Sequence, residues 1–126
     1  MTIEKYLQDK VDINEITERD KDFILSKLNE ANVNEANVSE IGKWILCYFL
    51  LNSYIYNISF EIFETDLLKE MLKLKLADFY IVTFPNELKD LVEKGFLHKI
   101  NTDGRSSFKY KPLLNKQNIL DYIKIY

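Results

Sequence analysis

Eight consecutive apolar residues, Trp44-Ile45-Leu46-Cys47-Tyr48-Phe49-Leu50-Leu51, sit near the middle of this 126-residue chain. They leave no polar side for water, and they fall well short of the roughly 20 residues that cross a bilayer. Such a run is buried, either in the centre of a domain or in a subunit interface. Asn37-Val38-Ser39-Glu40 supplies a cap just before it, and Ile41, Trp44, Ile45 and Tyr48 follow helical spacing. The pattern predicts a helix over 39–56. A rival reading makes 44–51 and 54–63 two strands that turn at Asn52-Ser53. In a two-fold interface, Trp44, Ile45, Tyr48 and Phe49 would be the contact residues of a homodimer.

The rest of the chain can supply a core around this run. Hydrophobic residues make up 47% and aromatic residues 13%, which excludes a largely disordered chain. The length fits one domain. The single cysteine, Cys47, rules out an intramolecular disulfide and reads as a small buried core residue. Met1-Thr2-Ile3-Glu4-Lys5 carries an acid and leads into no apolar stretch, so no signal peptide is expected. The expected setting is cytoplasmic, with no membrane association.

Charge is unevenly distributed. Residues 1–66 hold 6 Lys/Arg against 13 Asp/Glu, a net −7, while residues 67–126 hold 11 against 7, a net +4. A basic working surface beside an acidic one is the reading that this asymmetry suggests.

Residues 1–16 have weak periodicity and form a short helix or an arm. Thr17-Glu18-Arg19-Asp20 reads as a helix start, with Phe23, Ile24 and Leu28 as the apolar stripe of a helix over 17–30. Asn29-Glu30-Ala31-Asn32-Val33 is nearly repeated at 34–38, and the asparagines favour a connector. Ile58 to Phe63 alternates like a short strand. Thr65-Asp66 opens a helix whose core face is Leu67, Leu68, Met71, Leu72 and Leu76. Asp78 to Phe84 is apolar and ambiguous. Pro85 suits a first helical turn, with Leu88, Leu91 and Val92 on the buried side and Gly95 as the stop. Phe96 to Ile100 then reads as a strand, Asn101 to Arg105 as a turn containing Asp-Gly, and Ser107 to Lys111 as a second strand. Phe108 and Tyr110 would face the core, with Lys109 and Lys111 in solvent. Pro112 stops the strand, and Asn115 can cap a C-terminal helix carrying Ile119, Leu120 and Ile123.

The fold class is mainly α with a small β-hairpin, an α+β chain. The stretch Leu88-Lys89-Asp90-Leu91-Val92-Glu93-Lys94-Gly95-Phe96-Leu97, then Asp103-Gly104-Arg105 and Phe108-Lys109-Tyr110, resembles the end of a winged helix-turn-helix domain. The resemblance covers about residues 39–112. It implies a helical extension over 1–38, a winged-helix-like domain over 39–112 and a short helix or tail over 113–126. It also implies a mechanism: the helix before the hairpin enters the major groove of double-stranded DNA, and the hairpin touches the backbone or minor groove. By that analogy Arg105 sits at the wing tip, Lys99, Lys109, Lys111 and Lys116 meet phosphates, and Asn86 and Lys89 reach bases. One departure stands out. The exposed side of that helix carries Asn86, Glu87, Lys89, Asp90, Glu93 and Lys94, and acids facing phosphates repel. Either the helix begins earlier, near Asp78, or the DNA-reading surface has been lost.

Catalysis is not expected. The only histidine is His98, the only glycines are Gly42, Gly95 and Gly104, and no Cys/His cluster suits zinc, so neither a metal nor a cofactor is implied. Two functions follow. One is a small, dimeric, DNA-binding transcriptional regulator. The other is a protein-binding factor of phage or mobile-element type that inhibits a host nucleic-acid enzyme. Its carboxylates, Glu87, Asp90 and Glu93 or the acids at 12–22, would stand in for phosphates.

Overall fold

The computed structural model describes residues 2–30, 37–53, 60–100 and 109–112. The chain begins with helix, not arm: α1 spans Ile3–Asp12. Thr2 caps it, its Oγ1 accepting from the Lys5 N–H at 3.1 Å. Leu7 is its fully buried residue. Asn14, in the left-handed region at φ 61°, turns the chain into α2, Glu18–Glu30. The expected start at Thr17 is a reciprocal cap, with the Asp20 N–H donating to Thr17 Oγ1 at 3.1 Å and the Thr17 N–H to Asp20 Oδ2 at 2.9 Å. Phe23, Ile24 and Leu28 are buried, as their spacing predicts.

The apolar run lies in α3, Glu40–Leu51, so its eight residues are helical and the two-strand reading does not hold. It begins where the expected 39–56 helix does, and residues 54–56 lie outside the described residues. Ser39 caps its start, with Oγ accepting from the Gly42 N–H at 2.9 Å. At the other end the Asn52 side chain donates to the Tyr48 carbonyl at 2.8 Å, which also accepts the Asn52 backbone N–H. Of the two burial modes open to this run, the chain uses the domain centre. Trp44, Ile45 and Phe49 are at most 2% exposed within the single chain. They are therefore not the subunit interface expected of them. Tyr48, half-buried, packs edge-on against Phe49 and Phe60. α1 and α2 supply one wall of this burial, with Tyr6 meeting Trp44 at a centroid distance of 5.3 Å.

After α3 come β1 (Ile62–Phe63), α4 (Glu64–Lys73), a single 3-10 turn at Ile81–Thr83, α5 (Phe84–Glu93), β2 (Leu97–Ile100) and β3 (Lys109–Pro112). The first strand is shorter than expected, since Phe60 and Glu61 lie outside it. The core face of α4 is also narrower. Leu67 and Met71 are fully buried, but Leu72 is 44% exposed. The helix ends at Lys73 and the chain turns through Lys75 at φ 53°, so Leu76 falls outside the helical repeat. α5 carries Pro85 in its first turn and begins at Phe84, so the longer helix from Asp78 does not form. Gly95, at φ 83°, releases the chain into β2.

The three strands form one antiparallel sheet in the order β1-β3-β2. Pro112 is the last residue of β3, as expected of a residue with no N–H to donate. The molecule is thus mostly helical with a small sheet. One continuous core joins Leu7, Ile24 and Leu28 to Phe49, Leu67, Met71, Leu88, Leu97 and Tyr110. Among the described residues, no helix is long and apolar enough to cross a membrane. The near-repeat at 29–38 falls in large part outside the described residues. The turn at 101–105, Phe108 and the helix expected from Asn115 fall wholly outside them.

Candidate nucleic-acid interface

The register of the hairpin sorts its side chains. Lys99 lies opposite Tyr110, and Ile100 opposite Lys109. Residues directly across an antiparallel pair share a face, and alternate residues along a strand do too. One face therefore carries Leu97, Lys99, Tyr110 and Ile62, and the other carries His98, Ile100, Lys109, Lys111 and Phe63. The first face is the core side: Leu97 is fully buried and Tyr110 is 3% exposed. The Tyr110 hydroxyl donates to Glu64 at 3.1 Å and ties β3 to the start of α4. Burial, and then the Glu64 charge, pushes the Tyr110 phenol well above its usual range, so it stays a neutral donor.

The expected phosphate-binding lysines are thus not equivalent. Lys109 and Lys111 share the outer face, while Lys99 is exposed on the opposite face of the ribbon. Lys109 is half-buried. Its Nζ pairs with Glu61 at 3.3 Å and sits 4.9 Å from the centre of the Phe63 ring. Lys111 is exposed and lies opposite the exposed His98. Arg105 and Lys116 lie outside the described residues.

α5 resolves into three stripes. Phe84, Leu88 and Leu91 are its buried side. Glu87, Asp90 and Lys94, at helical spacings of three and four, turn toward the segment that precedes α3. Glu87 accepts a hydrogen bond from the Ser39 hydroxyl. Lys94 pairs with Asp90 at 2.8 Å and donates to the Asn37 carbonyl at 3.3 Å. The third stripe faces solvent and holds Asn86, Lys89 and Glu93. The Lys89–Glu93 approach is loose, 4.0 Å between two exposed side chains, and contributes little to stability. The sequence pattern placed all three acids on the exposed face. In the fold Glu87 is engaged by Ser39, Asp90 is paired with Lys94 at the surface, and Glu93 lies on the outward stripe.

One feature of this surface was not legible as such. The ambiguous run before α5 divides: Phe79 and Phe84 meet edge-on with ring centroids 5.6 Å apart, and Tyr80 to Thr83 between them are exposed. Tyr80, Ile81 and Val82 are 60%, 57% and 87% exposed. The 3-10 turn causes this, because its tighter winding breaks the period that would have returned one of them to the core. Hydrophobicity alone points inward for all three. The only sequence signal is Pro85, which fixes where α5 can start.

Elsewhere, the Cys47 thiol is fully buried and burial pushes its pKa up to about 12, which removes it as a nucleophile. A cavity of about 220 Å³ beside the start of α3, lined by Trp44, Leu76 and Asp78 among others, is smaller than the roughly 300 Å³ at which ligand pockets begin. Comparison with known proteins finds no matching family model, no matching curated protein and no matching solved structure.

Proposed function

We propose that this chain is a non-enzymatic winged-helix protein of the cytoplasm that binds double-stranded DNA and serves as a small transcriptional regulator. The observation that carries the reading is the order α3–β1–α4–α5–β2–β3 with β1 laid against β3. This arrangement puts a helix with one solvent-facing stripe directly before a hairpin with a lysine-bearing outer face. In the proposed complex α5 enters the major groove, and Asn86 and Lys89 approach base edges. Lys111 and Lys99 meet phosphates from either face of the ribbon. Lys109 contributes less, because it must leave Glu61 to do so. Arg105 and Lys116, which lie outside the described residues, complete the phosphate contacts in this proposal.

The alternative, a phage or mobile-element factor using Glu87, Asp90 and Glu93 as phosphate mimics, draws less support. Two of those acids are engaged with Ser39 and Lys94 inside the chain.

The test is fluorescence anisotropy with mixed-sequence duplex at about 50 and 200 mM salt, the range over which phosphate contacts show themselves. Binding that weakens with salt is expected, with a slope reduced by about one for Lys111→Ala. Absence of binding at the lower salt overturns the reading.

A further inference from the structure

The exposed surface at the start of α5 begins before the helix does, in the 3-10 turn that leads into it. Val82, 87% exposed, stands four residues ahead of Asn86 and seven ahead of Lys89, and all three side chains lie in solvent. The Asn86 side chain is exposed and makes no hydrogen bond among the described residues, so both its amide donor and its carbonyl acceptor are available. An exposed aliphatic group beside an uncommitted carboxamide is a poor phosphate surface, since neither carries a charge. It is a good base-reading pair. In the major groove adenine alone presents an acceptor and a donor side by side, N7 and N6–H, and a carboxamide satisfies both. Thymine alone presents a methyl group, and an aliphatic side chain covers it.

We infer that α5 reads A·T pairs, with Asn86 bidentate to an adenine and Val82 packed on the C5-methyl of a thymine close by. This rests on the reading of α5 as the groove-facing helix. Val82 lies in the 3-10 turn that runs directly into α5, four residues ahead of Asn86. Lys89 lies one further turn along and reaches a base or phosphate beyond the pair. Tyr80 and Ile81, on the same turn as Val82, flank the contact. Glu93, near the far end of α5, lies farthest along the stripe from Val82. Glu87 is turned away toward Ser39, and the charge of Asp90 is paired with Lys94 at 2.8 Å.

The experiment selects bound duplexes from a random pool with the full chain, then measures affinity for the selected site in altered forms. Deoxyuridine in place of thymidine removes one methyl and leaves pairing intact. Wild type should lose about fourfold at one position, the worth of one buried methyl-sized group. The exposed variant Val82→Ser should lose nothing further there. Replacing one adenine by its 7-deaza analogue removes N7. It should weaken wild type about tenfold, while Asn86→Ala binds both duplexes equally. If neither substitution changes wild-type affinity, or if both variants keep the wild-type site preference, DNA binding stands and the base-reading inference falls. If no duplex is retained at low salt, the DNA reading itself falls and takes the inference with it.

Discussion

α3 and α5 pack against each other in one core, yet they are opposites. α3 is apolar on nearly every side, and Trp44, Ile45, Cys47 and Phe49 lie out of reach of water. α5 buries only Phe84, Leu88 and Leu91, sends Glu87 and Lys94 to the segment before α3, pairs Asp90 with Lys94, and leaves Asn86, Lys89 and Glu93 to solvent. The difference teaches where function can reside. A helix with no outward face can hold the fold together but has nothing to offer a partner. A helix that completes its core and caps its neighbour with two stripes has a third left over.

The contrast is broken most directly in α3. Phe49→Ala removes a fully buried ring and should cost about 3–5 kcal/mol, read as a lowered midpoint in urea denaturation. A loss below about 1 kcal/mol would mean that α3 is not the centre of the core. Next is the contact through which α5 supports α3. Ser39→Ala deletes the cap on the Gly42 N–H and the partner of Glu87, and should cost about 1–2 kcal/mol. Glu87→Gln, which keeps an acceptor for Ser39, should cost less.

The hairpin sharpens the comparison, because Tyr110 anchors its inner face. Tyr110→Phe forfeits the bond to Glu64 and should cost about 1 kcal/mol at neutral pH. The pH dependence has a definite sign. The ordinary phenol value is 10.0, and the folded value of Tyr110 is raised by burial. Its share of stability is therefore fully present below pH 10 and lost as pH climbs above that value. Tyr48, pushed up to about 12 mainly by burial, acts in the same direction. Thermal midpoints measured from pH 9 to 11.5 should fall in wild type and fall less steeply in Tyr110→Phe, a window set by the raised phenols. The smallest effect belongs to the outward stripe. Lys89→Ala should shift stability by less than about 0.5 kcal/mol, while weakening any duplex bound. A large stability loss there would show that the stripe is structural after all.

Local chemistry was the most readable part of this chain. The Thr17–Asp20 cap, the Ser39 cap, Pro85 in the first turn of α5, Gly95 as its stop and Pro112 at the end of β3 all act within a few residues of themselves. Periodicity likewise marked Ile24, Leu28, Leu67, Met71, Leu88 and Leu91 as core. It overreached at Leu72 and Leu76, because it carries no information about where α4 stops. The candidate site was less readable. Spacing put the lysines of the hairpin in solvent, but only strand register shows that Lys99 and Lys111 lie on opposite faces.

What the sequence determined by itself is therefore its caps and breakers and the burial of the 44–51 run, because these act through backbone geometry and hydration that need no distant partner. What tertiary structure decided is the allocation of side chains to contacts between elements. It sent the face of α3 into the chain's own core and not to a second copy, and it turned Glu87 toward Ser39. It also left Val82 in water, in the 3-10 turn before α5. Each of these depends on which surface arrives opposite which. Packing settles that question among residues far apart in the chain, and no local pattern records its outcome.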